Sequence, residues 1–380
     1  MELQDTAVWI QGVATAVPRH EYSQEFAREF MKRVPLYGEK ERRFIDRVYA
    51  DTGIERRHSV IADYDRPPEQ FEFFSRDESM LPEPSSSKRN DLYIGAAAEL
   101  AEEAVTRLAE EQALDLGSIT HLVTVSCTGF SAPGFDYHLV RALGLPASVF
   151  RQHIGFMGCY AAFPALRAAH SICLADKTAR VLVVDVELCS LHFQFKPELD
   201  TIVANSLFAD GAAAALISRD PSAGAGTDLP VPPGRRRYRI DGFSSRIIPG
   251  SADAMSWRLG DTAFDMRLSS YVPRLIQENI GDVVRTTMNA VSLDPETVAF
   301  WAIHPGGRAI LDRVRQTLDL AEERLDASYR TLRDYGNMSS ATIFFVLQRM
   351  RDDSRGGTVF AAAFGPGLTV ESARLEKVVS

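Results

Sequence analysis

The chain has 380 residues, with 42 Lys and Arg against 51 Asp and Glu, a net charge of −9 and 45% hydrophobic residues. This composition is typical of a folded protein and excludes a disordered or fibrous chain. The acidic balance lacks the basic footprint of nucleic-acid-binding proteins, so no nucleic-acid partner is expected. An acidic substrate would have to be met by a local basic patch. The length predicts about two ordinary domains, or one large duplicated fold.

The first part of the chain is predicted to alternate strands and helices. In order, these are a strand over residues 7–16 ended by Pro18, an amphipathic helix over 91–111, an apolar strand over 121–127, an apolar helix over 159–175 and a strand over 180–186. The stretch between residues 63 and 90 has the character of a loop. The apolar runs are far shorter than the roughly 20 residues of a spanning helix, so no membrane span is expected.

The second part of the chain repeats this plan after residues 221–235, a stretch rich in Pro, Gly and Ala that we interpret as a linker. Its elements are a strand over 298–303, a helix over 341–350 opened by 336–340, and a strand over 357–364. The repeat predicts two related domains, 1–220 and 236–380. Strands that alternate with helices predict an α/β fold with mostly parallel sheets buried on both faces.

The four cysteines are the first candidates for chemistry: Cys127, Cys159, Cys173 and Cys189. They are too sparse for a disulfide scaffold, and the chain begins without a visible secretory signal, so we expect reduced thiols in the cytoplasm. The cysteine and histidine spacing is not that of zinc sites, and no metal is expected.

Cys159 is preceded by Gly158 and followed by the predicted apolar helix. This position predicts a thiol at a helix N-terminus, where the dipole would lower its pKa from about 8.5. Gly158 permits a tight turn and a close approach of substrate. The alternative is an ordinary buried core cysteine.

His304 and Asn337 occupy the matching loops of the second part. Taken alone, His304 could end a strand and Asn337 could cap a helix. Together with Cys159 they form a more specific pattern, because a thiolate nucleophile needs an adjacent base and an enolate needs two hydrogen-bond donors. Papain-like proteases also use Cys, His and Asn, but their Asn follows about 130–150 residues after the Cys. Here Asn337 follows 178 residues after Cys159, which disfavours a protease.

Several segments carry a resemblance to a known family. They are residues 155–163 (GFMGCYAAF), 206–217 (SLFADGAAAALI), 304–307 (HPGG), 336–341 (GNMSSA) and 365–371 (GPGLTVE). In this order they resemble the type III polyketide synthases, the chalcone synthase-like branch of the thiolase superfamily, over residues 7 to 375. Residues 126–136 and 257–266 resemble bacterial members more than plant members.

The resemblance implies a thiolase-like duplicated αβαβα layered fold and a homodimer. It implies that Cys159 takes an acyl starter from an acyl-CoA, with His304 and Asn337 completing the triad. Malonyl-CoA would extend the chain by decarboxylative Claisen condensation, before cyclisation to a pyrone, a resorcinol or a related aromatic product. No cofactor is implied beyond the CoA thioesters, which are substrates.

The resemblance also implies a substrate cavity and a CoA site. Phe208 corresponds to a gatekeeper, and the second gatekeeper falls on Met266, with Phe264 as the competing position. Further cavity positions are Cys127, Cys189, His192, Ser339 and Trp257. On the CoA side the candidates are Arg56, Arg57, Gly306, Gly307 and Ala309. A solvated surface turn is the alternative for the arginine pair. Met266 favours a wide passage for alkyl chains, whereas His192 and Trp257 favour a small cavity.

Two other functions remain open at this point. A ketoacyl synthase of the fatty-acid initiating kind would share the superfamily, but it expects a different glycine-rich loop from GPGLTVE. A non-catalytic acyl-CoA-binding subunit would be expected to lose Cys159, His304 or Asn337, and all three are present.

Overall fold

The computed structural model describes residues 7–77, 79–219, 236–252, 255–268 and 272–379, so the proposed linker over 221–235 lies outside the described residues. The strands and helices are, in chain order, β1 Val8–Ala16, β2 His20–Ser23, α1 Gln24–Lys32, α2 Glu39–Asp51, β3 Arg56–Ser59, α3 Ser86–Gln112, β4 His121–Ser126, α4 Phe135–Ala142, β5 Phe150–Gly155, α5 Ala162–Ala175, β6 Arg180–Leu188, α6 Leu199–Leu207, β7 Asp210–Ser218, β8 Arg236–Ile247, β9 Met255–Leu259, β10 Phe264–Leu268, α7 Val272–Ala290, β11 Phe300–Ile303, α8 Arg308–Thr317, α9 Asp326–Tyr335, α10 Thr342–Arg351, β12 Gly357–Gly365 and β13 Thr369–Val379.

Nine of these strands hydrogen-bond in the order β11-β12-β13-β8-β1-β7-β6-β4-β5. The order β4-β6-β7-β1 in the first part matches β11-β12-β13-β8 in the second, with a parallel first pair and antiparallel later pairs in both. Strands β1 and β8 join the two parts. In the first part β4, β6 and β1 run in one direction and β7 runs in the opposite direction. In the second part β11, β12 and β8 run in one direction and β13 runs in the opposite direction. The reversed strand accounts for the antiparallel pairs within each part. The duplicated α/β plan is confirmed.

The core shows how the layers are stacked. Helices α5 and α10, one from each part, share a hydrophobic cluster with strands of both parts. Helix α3 packs against the other face of the first part's strands, and α7 and α8 pack against the other face of the second part's strands. The layers therefore run helix, sheet, helix, sheet, helix. The central strands are buried on both faces, as their continuous apolar runs predict; β7, for example, is buried along its whole length, whereas the edge strand β5 is mostly exposed.

This stacking brings four loops together at the carboxyl ends of parallel strands. Cys127 follows β4 and His304 follows β11, while Cys159 precedes α5 and Asn337 precedes α10. Helix α5 begins at Ala162, not at Cys159 as predicted, because residues 159–161 form a turn in which the Ala161 N–H donates to the Gly158 carbonyl. Among the helices of the described ranges, none is both long and apolar enough to cross a membrane.

Candidate functional site

Cys159, His304 and Asn337 line one cavity, which we call the Cys159 cavity. Of the other predicted cavity residues, it is also lined by Cys127, Cys189, Phe208, Met266, Trp257 and Ser339. Residues that the sequence reasoning missed are Thr128, Met255, Ser256, Ile310, Phe364 and Pro366. The three candidate catalytic side chains, distant in sequence, therefore meet in one enclosed space.

Two glycines allow the Cys159 turn to pack against the loop of residues 365–367. Gly158 has a φ of 84°, and a Cβ there would lie 2.3 Å from Cδ of Pro366. A Cβ on Gly365 would lie 2.6 Å from the ring of Tyr160. Neither position has room for a side chain, so one glycine from each part of the chain is required for the parts to meet beside the thiol.

The charge state of Cys159 differs from the sequence prediction. Burial raises the pKa of the Cys159 thiol to about 12, and its hydrogen bond with Ser339 acts in the opposite direction without overcoming burial. The prediction that a helix N-terminus lowers this pKa is therefore wrong: α5 begins three residues later and the thiol is shut away from water.

His304 is almost completely buried. Neither of its ring nitrogens has a hydrogen-bond partner within the described part of the chain. Burial lowers the pKa of His304 to about 3, so the ring is neutral at physiological pH. Buried polar atoms are nearly always paired in folded proteins. An unpaired imidazole in a cavity wall is therefore available to a ligand as both donor and acceptor.

Asn337 is held by four hydrogen bonds. Its Oδ1 accepts from the Ser339 N–H (2.9 Å), and its Nδ2 donates to the Gly306 carbonyl (3.2 Å). Its backbone N–H donates to the Leu207 carbonyl, and its own carbonyl accepts from the Ala209 N–H, both at 2.9 Å. The side chain does not cap α10, which begins only at Thr342; it accepts from the first residue of a short 3₁₀ turn, Ser339–Ala341. One Nδ2 hydrogen remains for a ligand.

A buried acidic network lies beside the cavity, and the sequence reasoning missed it. Glu187 accepts from the backbone N–H of Cys127 (3.1 Å) and from its thiol (3.0 Å). The Ser340 hydroxyl lies 2.7 Å from Glu187 Oε1 and 2.8 Å from Asp185 Oδ1. Burial raises the pKa of both carboxyl groups. In the sequence they are recognisable as two acidic residues two positions apart in an apolar strand, a spacing that places both side chains on the same face of the strand.

His192 lies outside the Cys159 cavity and lines a neighbouring cavity instead. Its Nε2 lies 2.7 Å from the Thr128 carbonyl, while Nδ1 accepts from the Phe264 N–H (3.1 Å). The ring stacks on Phe264 at 4.1 Å between centroids. With both nitrogens satisfied and the pKa lowered to about 3 by burial, His192 is a neutral structural residue in the wall of a neighbouring cavity.

That neighbouring cavity, which we call the second cavity, shares part of its wall with the Cys159 cavity. The shared residues are Cys189, Phe208, Trp257 and Met266. Phe264 lines only the second cavity. Met266, not Phe264, therefore accompanies Phe208 between the two spaces. Trp257 is fixed there because its Nε1 donates to the Cys127 carbonyl at 2.7 Å.

The two arginines of the predicted CoA site face opposite sides of β3, as neighbours on a strand do. Arg56 is exposed and lies 3.9 Å from carboxylate oxygens of Glu21 and Asp334. Arg57 is only 2% exposed and donates to the carbonyls of Asn205 and Phe208, both at 2.8 Å. The prediction of Arg57 as a phosphate-binding surface residue is therefore wrong.

The loop after β11 has mixed exposure. Gly306 is partly exposed, Gly307 is buried, and Ala309 is exposed on α8. Arg308, the first residue of α8, is exposed and packs so closely on Gly53 that a Cβ there would lie 3.1 Å from its Cδ. The sequence reasoning missed Arg308, although it directly follows the HPGG segment. Arg308 is therefore an exposed cation beside Gly53.

Comparison with known proteins agrees with this site. The family models "Chalcone and stilbene synthases, N-terminal domain" and "Chalcone and stilbene synthases, C-terminal domain" match residues 5–221 and 240–379. A similar solved structure is PKS-I from the brown alga Ectocarpus siliculosus, with 28% identity, a TM-score of 0.88 and full coverage of both chains (100% each).

Two more solved structures are similar. The C-terminal type III polyketide synthase domain of Steely1, a type I/III hybrid from Dictyostelium, is 27% identical with a TM-score of 0.86, over 98% of this chain and 100% of that chain. A point mutant of CsyB is 28% identical with a TM-score of 0.83, also over 98% and 100%. These matches favour a polyketide synthase over a fatty-acid initiating ketoacyl synthase. The chain belongs to the chalcone and stilbene synthase family and is a type III polyketide synthase, an enzyme that transfers acyl groups.

Proposed function

We propose that this enzyme loads an acyl-CoA starter on Cys159 and extends it with malonyl-CoA by decarboxylative Claisen condensation. The extended chain then cyclises to a pyrone, a resorcinol or a related aromatic product. The observation that supports this most is the meeting of a thiol, an unpaired neutral imidazole and a fixed amide in one cavity. A non-catalytic acyl-CoA-binding subunit would have no need for all three.

Loading begins with transfer of the Cys159 proton to His304. The sulfur attacks the thioester carbonyl of the starter, a new S–C bond forms, and the C–S bond to CoA breaks. The proton on His304 then neutralises the departing CoA thiolate. Burial disfavours a lone charge on either residue, so proton transfer is coupled to the attack.

Extension needs a stabilised enolate. Malonyl-CoA loses CO2, and the electron pair left behind is delocalised onto the thioester oxygen. The N–H of neutral His304 and the remaining Nδ2–H of Asn337 donate to that oxygen. The enolate carbon then attacks the acyl-Cys159 carbonyl, forming a C–C bond and breaking the C–S bond to Cys159. The released thiolate takes up one proton from solvent, because the original Cys159 proton left with the CoA thiol. The Asn337 N–H donates to the Leu207 carbonyl, and the Asn337 carbonyl accepts from the Ala209 N–H. These two hydrogen bonds support the role of Asn337, because they hold the residue in a fixed position.

The CoA phosphates are proposed to bind at the exposed side of the Gly306 loop. Arg308, which follows that loop, is exposed with Gly53 against it, and Arg56 is exposed on β3. Because the chain carries a net charge of −9, exposed arginines at the site must supply the attraction that the protein as a whole does not.

We also propose a homodimer formed through the edge strand β5. Most residues of β5 are exposed, and Phe150 is 71% exposed. Phe130 and Phe156, nearby in the chain, are exposed as well. An exposed edge strand with large apolar side chains favours pairing with another chain. Size-exclusion chromatography with light scattering should give twice the chain mass, and a monomer would contradict this proposal.

The proposed function is tested by intact mass spectrometry after incubation with acyl-CoA esters of short, long and aromatic acids. A covalent acyl adduct that maps to Cys159 and is absent from Cys159→Ala is expected. Absence of an adduct with every ester would contradict the proposal. Cys173→Ala is the matched control, because Cys173 is a buried thiol that does not line the Cys159 cavity.

A further inference from the structure

Three thiols line the Cys159 cavity, and the proposed function uses one of them. They are Cys127, Cys159 and Cys189. All three are buried, and burial raises the pKa of each. Burial therefore does not distinguish the nucleophile from its two neighbours. The groups in contact with each sulfur must determine which thiol takes the acyl group, because only the thiolate form attacks a thioester.

Cys127 is held by a carboxyl group. Its thiol lies 3.0 Å from Glu187 Oε1, and its backbone N–H donates to Glu187 Oε2 at 3.1 Å. The Ser340 hydroxyl lies 2.7 Å from the same Oε1. Three donors thus favour the ionised form of Glu187. A carboxylate in contact with a thiol opposes ionisation of the sulfur, since the thiolate would be a second negative charge. Burial, and then the charge of Glu187, raise the pKa of Cys127 well above its usual value.

The Ser340 hydroxyl also lies 2.8 Å from Asp185 Oδ1. A hydroxyl has a single hydrogen and donates fully to only one of the two carboxyl groups, so the other must hold a proton of its own. Asp185 is the protonated one, because its Oδ2 has no hydrogen-bond partner among the described residues and an uncharged oxygen is less costly to bury there. Asp185 then donates to Ser340, and Ser340 donates to Glu187. At neutral pH the pair carries one negative charge, on Glu187.

Cys159 has different neighbours. Its hydrogen bond with Ser339 lowers its pKa against the effect of burial, and the unpaired imidazole of His304 lines the same cavity. Glu187 acts on Cys159 through its charge, whereas it is hydrogen-bonded to Cys127. Besides Cys127 and Asp185, the titratable groups whose pKa the Glu187 charge raises are Cys159, Cys189 and Tyr93 of α3.

We propose that Glu187 keeps Cys127 protonated, so that the acyl starter is loaded on Cys159 alone. This proposal rests on the proposed function, and it makes Glu187 a positioning residue that acts through Cys127. Asp185 supports it through Ser340 by leaving the charge on Glu187. Loading on Cys127 would form an S–C bond to the acyl carbonyl and break the C–S bond to CoA, and the thiol proton would pass to the departing CoA thiolate. That step begins with ionisation of the sulfur, which Glu187 opposes.

The test removes the charge and keeps the shape. In Glu187→Gln the pH midpoint for alkylation of Cys127 by iodoacetamide should fall by about one unit or more, because a like charge in contact with the thiol is lost. Below that midpoint, Cys127 should be labelled about tenfold faster relative to Cys173. Cys173 is the internal control, since it is buried outside the Cys159 cavity and partial unfolding would expose both thiols. With acyl-CoA, Glu187→Gln should carry a second acyl group on Cys127, whereas the wild type carries one on Cys159.

Asp185→Asn is the conservative variant. Its amide can donate to Ser340 as a protonated carboxyl group does, so the labelling of Cys127 should match the wild type. Infrared difference spectra between the wild type and Asp185→Asn at neutral pH should show the C=O stretch of one protonated carboxyl group. Absence of that band would overturn the assignment of the charge to Glu187.

The labelling outcomes distinguish this proposal from the proposed function. A ratio of Cys127 to Cys173 labelling that stays at the wild-type value in Glu187→Gln would overturn the proposal. A lower ratio would also overturn it, since Glu187 would then be a base that activates Cys127. A wild-type enzyme that forms no acyl adduct on any cysteine would instead contradict the proposed function, while the iodoacetamide result would still test the role of Glu187.

Discussion

The two related parts of the chain bring different chemistry to the same place. The first part supplies Cys159, a buried thiol before α5, while the second supplies His304 after β11 and Asn337 before α10. The strand order and the strand directions match, yet in the proposed mechanism one part makes and breaks covalent bonds and the other stabilises developing charge. The comparison teaches that a duplicated scaffold repeats positions for functional groups without repeating the groups.

The largest effect is expected from removing the nucleophilic thiol of Cys159. Cys159→Ala should abolish polyketide formation, because no other group in the described cavity takes its place at the turn before α5. Product analysis by liquid chromatography and mass spectrometry would measure the loss. Ser339→Ala is a useful comparison, since it removes a hydroxyl partner of the thiol but leaves the sulfur; retained product in Cys159→Ala would contradict the division of roles.

The next largest effect is expected in the second part. Asn337→Ala should slow CO2 release from malonyl-CoA by about 10²–10³-fold, or roughly 3–4 kcal/mol, because one enolate donor is lost. His304→Ala should have an effect of similar size. Radiolabelled CO2 release measures both, and Asn205→Ala is a control for loss of an amide that lies in the second cavity only. An unchanged rate in both site variants would refute the donor roles.

The contact between the parts can be weakened at Gly158. Gly158→Ala should lower the free energy of unfolding by about 1–2 kcal/mol for its left-handed backbone, and further because its Cβ would clash with Pro366. Gly144→Ala is the matched control, since Gly144 also has a positive φ (66°) but nothing lies within 4 Å of its Cβ position. Urea unfolding should show the larger loss at Gly158; equal losses would mean that the contact with Pro366 contributes nothing.

The two parts should also be coupled by transfer of the Cys159 thiol proton to His304. Burial, together with the charges of Glu187 and Asp185, raises the pKa of Cys159, so removing the imidazole that accepts its proton should leave the thiol harder to ionise. In His304→Ala the pH midpoint for alkylation of Cys159 by iodoacetamide should rise by about one unit, or 1.36 kcal/mol. Peptide mapping would follow Cys159 separately from the other buried cysteines, and an unchanged midpoint would show that the two side chains do not exchange a proton.

The smallest effect is expected at the wall between the cavities. Trp257→Phe removes the bond to the Cys127 carbonyl and should lower the free energy of unfolding by about 1 kcal/mol. CO2 release should stay close to the wild-type rate, since Trp257 belongs to neither set of reacting groups. A loss of CO2 release as large as that in Asn337→Ala would mean that Trp257 takes part in the reaction, and it would contradict the assignment of enolate stabilisation to the second part alone.

Much of the fold and the triad could be predicted from sequence because their signals are local. The apolar runs mark the strands, and the glycines beside Cys159 and His304 mark turns at strand ends. The beginning of α5 was misplaced because residues 159–161 have helical character but form a turn held by Gly158.

The rest depends on which way a side chain faces after packing. Arg56 and Arg57 are equivalent in the sequence, and only the pairing of β3 with β2 places one outside and the other inside. The place of His192 in the wall of the second cavity depends on hydrogen bonds with Thr128 and Phe264, both distant in the chain. The second cavity forms where α1 and α6 lie side by side, and no short sequence motif predicts that contact.

The central claim is that the first part carries the acyl group and the second part generates the enolate. The most direct test measures CO2 release from malonyl-CoA by Cys159→Ala and by Asn337→Ala in the same assay. Cys159→Ala should form no acyl adduct yet still release CO2, whereas Asn337→Ala should release it about 10²-fold more slowly than wild type. Equal loss of CO2 release in the two folded variants would contradict the claim.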